Sequence, residues 1–262
     1  MESRPSFVER LAAVFGVFWP LLVGVGLSVL AFGVAIAFVL VGALGLMVVG
    51  VPLQERLLLL VGLTLLLQGI GFVVVALGYL YYRGLGIEYI RLGWPSLRDL
   101  GWMVAGLFGL FAVLIVVGQL AERFAPAEPA DHEIAELGAQ QPELLLFLVP
   151  FMLLVVGPGE ELLFRGVIQT RLAEAYGSVA GIVLASVLFA VAHVPAYGGG
   201  AGAWVTVTVL FAASLVFGAI YEVTDNLVVP AVVHGVYNSI LVVGLYATTQ
   251  MEPATLGRLV GI

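Results

Sequence analysis

The chain has 262 residues, 62% of them hydrophobic and only 10% charged, with a mean hydropathy of +1.15. A soluble domain is usually about half apolar and a quarter charged, so this balance excludes one and describes a polytopic membrane protein whose partner is the lipid bilayer. The net charge of −7 argues against nucleic acid as a partner, and the lack of cysteine rules out disulfides, thiolate metal sites and cysteine nucleophiles.

Residues 1–19 read as an interfacial lead-in, with Arg4, Glu9 and Arg10 among Phe7, Val8, Leu11 and Phe15. Pro20 is expected to divide the uncharged run that follows, leaving a first span at about 21–49. A turn at Gln54-Glu55-Arg56 leads to a second span, Leu57 to about Leu80, closed by Tyr79, Tyr81, Tyr82 and Arg83 as an interfacial belt. Residues 83–100 form a surface segment, and the third span follows at about 101–120. The most polar stretch comes next, an acidic loop with Glu122, Glu128, Asp131, Glu133, Glu136 and Glu143, predicted to hold a short helix around 130–138. The fourth span begins near Leu144, and Gly157-Pro158-Gly159 is expected to break it. Gly177-Ser178 turns the chain into a fifth span at about 179–194, and a Gly198-Gly199-Gly200 loop leads to a sixth at about 203–221. The seventh is predicted at about 227–248, before a tail with Glu252 and Arg258. The fold class is therefore all-α, a transmembrane helical bundle of about seven or eight spans in the cell membrane. Arginine counts on the two sides favour a cytoplasmic N-terminus.

Three charges stand beside the fourth span in Glu160-Glu161-Leu162-Leu163-Phe164-Arg165. Ionisable groups inside a membrane are costly, and each is a functional-site hypothesis by default. On a helix Glu161 and Arg165 are four apart and can neutralise one another. Glu160 is turned by about 100° from Glu161 and finds only Leu163 and Phe164 at its own i+3 and i+4. It has no partner in its helix, which suits a general base. The bland reading is a structural charge network between helices.

Of three histidines, His132 lies in the acidic loop and reads as solvated. His193 ends Phe189-Ala190-Val191-Ala192-His193, and His234 opens His234-Gly235-Val236-Tyr237-Asn238, both within spans. If residues 160–193 form a hairpin turning at Gly177, Glu160 and His193 lie at nearly equal depth. His234 and Asn238 share one face, and so do Phe189 and His193, where packing on the imidazole is the expected task of Phe189. Measured from the turn near 225, however, His234 is too shallow to meet Glu160. Convergence requires either that the 160–193 hairpin protrudes or that the Gly-Pro-Gly stretch repositions Glu160.

Two chemistries suit a Glu–His–His–Asn set. In one, Glu160 and His193 polarise a water that attacks a peptide carbonyl, and His234 and Asn238 donate to the oxyanion. In the other, Glu160, His193 and His234 bind a divalent metal, zinc being the natural candidate, which activates the water. The residues alone leave the choice open, and with it whether a cofactor is needed.

The ordered set Glu160-Glu161-x-x-x-Arg165, Phe189-x-x-x-His193 and His234-x-x-x-Asn238, on successive hydrophobic segments, resembles the CPBP intramembrane protease family. That family includes the type II CAAX prenyl endopeptidases and the bacteriocin-processing or immunity Abi proteins. The similarity covers residues 144–248, dividing the chain into an N-terminal transmembrane region (1–143), a protease-like core (144–248) and a tail (249–262). The resemblance implies an integral membrane endopeptidase acting on hydrophobic or prenylated protein or peptide substrates. Glu160 would be the base, assisted by His193, with His234 and Asn238 as the oxyanion pocket and Glu161 and Arg165 in support. It leaves the metal question open. The competing readings are a non-catalytic membrane module that binds a peptide in the same pocket, and a proton-relaying transporter, which the absence of an internal repeat disfavours.

Overall fold

The structure, a computed structural model, describes residues 7–52, 56–124, 138, 140–197 and 201–251. Several expectations fall outside those residues: the acidic loop with Glu128, Asp131, His132, Glu133 and Glu136, most of its short helix, the Gly198–Gly200 loop, Gln54-Glu55, and the tail from Glu252 onward, Arg258 included.

Among the described residues all regular structure is helical. Helix α1 spans Phe7–Val48 and α2 Leu57–Arg83. The first helix runs unbroken through Pro20, against the sequence expectation. A proline removes one backbone bond and crowds the carbonyl four residues back, here that of Gly16. In an apolar run, abandoning the helix would strand several backbone groups instead of one, so continuation is the cheaper outcome. Helix α2 closes on Gly84 at φ 66°, with Leu85 N–H donating to Leu80 O at 2.9 Å, a left-handed glycine cap. After a 3-10 turn at Ile87–Ile90, Ser96 and Asp99 exchange bonds in a capping box that starts α3, Leu97–Phe124.

Helix α4 is a 35-residue element, Pro142–Tyr176. Gly157-Pro158-Gly159 does not break it, a second departure from expectation. Instead the helix widens to π-type turns at Met152–Val156 and Leu162–Gln169, on either side of Gly157–Glu161. The widened turn takes the Gly157 N–H back to Met152 O, so the bonding register shifts just before the residue that lacks a donor. The two glycines serve contact. A Cβ on Gly157 would lie 2.7 Å from Gly235 N, and one on Gly235 would lie 2.9 Å from Leu153 Cα. Small residues of this kind let helix backbones touch.

Gly177, at φ 86°, turns the chain into α5, Ser178–His193. A 3-10 turn at Val194–Tyr197, α6 (Ala201–Thr224) and α7 (Val228–Thr249) complete the fold. Helices α4, α5, α6 and α7 pack together, and α1 and α2 lie against α4 and α5.

Among the described residues six helices are long and apolar enough to cross a membrane, against the seven or eight expected. The predicted fifth span is the 16-residue α5, which rises about 24 Å, short of a hydrocarbon layer about 30 Å thick. Large apolar side chains such as Phe108 (74% exposed) and Leu154 (75% exposed) face outward, as lipid contact demands. The chain is a multi-pass integral membrane protein.

Candidate active site

Close contact of α4 and α7 at Gly157 and Gly235 sets the site, because Glu160 follows the first glycine by one turn and His234 adjoins the second. Glu160, His193 and His234, on α4, α5 and α7, converge. His193 Nε2 stands 3.7 Å from Glu160 Oε1, and His234 Nε2 3.8 Å from Glu160 Oε2. Glu160 and His234 are buried, whereas the side chain of His193 retains 17% exposure. Gln169 donates to Gly218 O at 3.0 Å, and Thr170 and Tyr221 hydroxyls are 3.1 Å apart, so residues 169–170 are level with 218–221, near the end of α6.

Glu161 is fully buried between two cations or donors. Arg165 Nε donates to Oε2 at 2.8 Å and His234 Nδ1 lies 2.9 Å from Oε1. The i,i+4 pair therefore forms as its spacing predicts, and it extends to a histidine that sequence spacing does not assign to it. His234 sits between two adjacent carboxylates, with Glu161 at one ring nitrogen and Glu160 facing the other.

The ring partners fix proton roles. Phe189 O only accepts, so His193 Nδ1, at 2.7 Å, donates to it. A glutamate ion-paired to arginine likewise only accepts, so His234 Nδ1–H donates to Glu161. In the neutral ring each Nε2 then presents a lone pair towards Glu160. Aromatic faces hold the imidazoles. Phe217 stacks on His234 at 4.6 Å and 20°, and Phe189 lies 4.5 Å from His193 and 6.1 Å from His234. Phe189 thus packs against both histidines rather than one.

Asn238 lies one turn beyond His234 on α7 and is half-buried; its amide has no hydrogen-bond partner among the described residues. Three contributors were missed by sequence reasoning. Ser214 accepts from Arg165 Nη2 at 2.9 Å, and Phe217 stacks on His234. Tyr197 ends the 3-10 turn after His193, and burial together with the nearby Glu160 charge pushes its phenol up to about 12. A lone serine within an apolar span could have flagged Ser214. Phe217, one of 15 phenylalanines, carries no such signal.

Among the described residues no group of three or more His, Cys, Asp or Glu is arranged to hold a metal ion, and no step is routed through one below.

Residues 142–240 match a family model, Type II CAAX prenyl endopeptidase Rce1-like. The match agrees with the family that the motifs resemble, covers less than half of the chain, and contains Glu160, Glu161, Arg165, Phe189, His193, His234 and Asn238. No curated protein and no solved structure matches the chain.

Proposed function

We propose that the chain is an integral membrane endopeptidase that hydrolyses peptide bonds of hydrophobic or lipidated, CAAX-type protein substrates with a water activated by Glu160 and His193. The family match supports a membrane endopeptidase in general terms. The observation that supports the mechanism is the buried Glu160 carboxylate with an imidazole Nε2 beyond each oxygen, at 3.7 and 3.8 Å. Those gaps are too long for direct hydrogen bonds. A water beside Oε1 can donate one proton to Glu160 and the other to His193 Nε2, which leaves its oxygen lone pair free to attack. As the bond to the scissile carbonyl forms, Glu160 takes the proton. The carbonyl oxygen becomes an oxyanion, and the same proton passes to the leaving amine as the carbon–nitrogen bond breaks.

Asn238 and His234, one helical turn apart on α7, serve as oxyanion donors. Because Nδ1 is committed to Glu161, donation from His234 Nε2 uses the doubly protonated ring, with Glu161 as its counter-ion. Donors of this kind are worth about 2.7–4 kcal/mol each in other enzymes. Arg165 and Ser214 hold Glu161, and Glu161 in turn orients His234.

The test is cleavage in liposomes of a farnesylated CAAX peptide and of a generic hydrophobic peptide, comparing wild type, Glu160→Ala and chelator-treated protein. Cleavage by wild type that survives chelation and disappears in Glu160→Ala is expected. Loss on chelation with recovery on adding zinc would overturn the metal-free mechanism. Absence of cleavage in wild type, with Glu160→Gln still active in cells, would instead support a peptide-binding module.

A further inference from the structure

Behind the site, three fully buried side chains each carry a polar atom without a hydrogen-bond partner among the described residues: Arg165 Nη1, Gln169 Oε1 and Ser186 Oγ. They come from α4 and α5, and their shared neighbours place them together. A Cβ on Gly218 would meet Gln169 Oε1 at 2.7 Å and Ile182 at 3.0 Å, so the Gln169 carbonyl lies where α6 and α5 face each other at the level of Ile182. One turn along α4, Arg165 lies 5.4 Å from the Phe189 ring of α5 and bonds Ser214 of α6. Ser186 is one turn beyond Ile182 and one turn before Phe189, on the same face of α5, and so lies opposite the space between Gln169 and Arg165. The Arg165 guanidinium spends its Nε–Nη2 edge on Glu161 and Ser214, which leaves Nη1 on the edge away from Glu161.

The three atoms are complementary: a donor, an acceptor, and a hydroxyl that is both. Leaving all of them unpaired in a membrane interior is costly, and a polar recess with several partners is where internal water resides. We propose that Arg165, Gln169 and Ser186 form a binding site for ordered water, enclosed by α4, α5 and α6 and distinct from the water consumed at Glu160. The site has a polar approach. Gln169 Nε2 donates to Glu222 at 3.1 Å, and Glu222 pairs at 3.5 Å with Arg91, which also meets the exposed Asp225 at 3.3 Å. On the other side the Phe189 and Phe217 rings flank Arg165 at 5.4 and 5.9 Å. Water here completes the coordination of Arg165, and through Glu161 it helps to hold His234. The inference stands whether or not the protein is a peptidase.

A high-resolution structure of the full-length protein in lipid nanodiscs, together with thermal unfolding of Ser186→Val and Ser186→Ala, tests it. An ordered water within hydrogen-bond distance of all three atoms is expected. Ser186→Val, which fills the recess and expels the water, should lower the midpoint by several degrees, and Ser186→Ala by less. A dry recess, with Arg165 and Gln169 bonded directly, would overturn the proposal. So would Ser186→Val that unfolds at or above the wild-type temperature, since valine would then merely remove an unpaired hydroxyl.

Discussion

The two sides of the candidate site are built to different standards. On one, Glu161, Arg165, Ser214 and His234 are buried and joined by bonds of 2.8–2.9 Å. On the other, Glu160 and His193 approach only to 3.7 Å, His193 is partly exposed, and Asn238 is half-buried without a hydrogen-bond partner among the described residues. Two consecutive glutamates thus occupy opposite regimes. Glu161 has its charge matched and its lone pairs taken, as a buried ion must. Glu160 faces two imidazole nitrogens at 3.7 and 3.8 Å, beyond direct hydrogen-bond distance. Under the proposed mechanism the tight side is scaffold and the loose side is chemistry, because a group that is to bind water and move a proton cannot already be saturated.

Variants can break or sharpen this contrast. The largest stability loss is expected from Arg165→Leu, which strands Glu161 as a buried, half-compensated charge. Removing one partner of such a pair costs about 3–5 kcal/mol, so the purified variant should unfold many degrees below wild type or fail to accumulate. Asn238→Ala comes next. It should leave the unfolding midpoint within a degree or two of wild type and lower kcat by about 10²–10³-fold, the usual cost of one oxyanion donor, with little change in KM. A midpoint that falls as far as that of Arg165→Leu would put Asn238 on the scaffold side. The smallest effect is expected from Asp225→Asn, since its pairing with Arg91 at 3.3 Å involves a side chain that is 78% exposed. Surface pairs contribute about 0–1 kcal/mol, so a thermal melt should barely register this change.

Hydropathy made the long spans readable, and spacing made the motifs readable. Glu161 and Arg165 are four apart, and Glu160 is left without a partner in its own helix. The chain could not announce its long-range pairings in the same way. Ser214 is a single polar residue in an apolar run and Gln169 one polar residue beside Thr170 and Arg171, and each bonds a group 49 positions away. Pro20 and Gly157-Pro158-Gly159 read as breaks because local chemistry favours one there. Tertiary context overrode it: an apolar surround penalises stranded backbone groups, and π-type turns absorb the proline. The expected fifth span, about 179–194, matches α5 in place and length, but its 16 residues are too few for a crossing and end in a 3-10 turn.

The most direct test of the contrast is a paired measurement on Glu160→Gln and Glu161→Gln, recording cleavage of the farnesylated peptide and the unfolding midpoint on the same preparations. The account predicts that Glu160→Gln abolishes cleavage and leaves the midpoint unchanged or slightly raised. Glu161→Gln should lower the midpoint by many degrees, because it leaves Arg165 without its counter-charge. Full cleavage by Glu160→Gln, or equal destabilisation of the two variants, would contradict the division of the site into scaffold and chemistry.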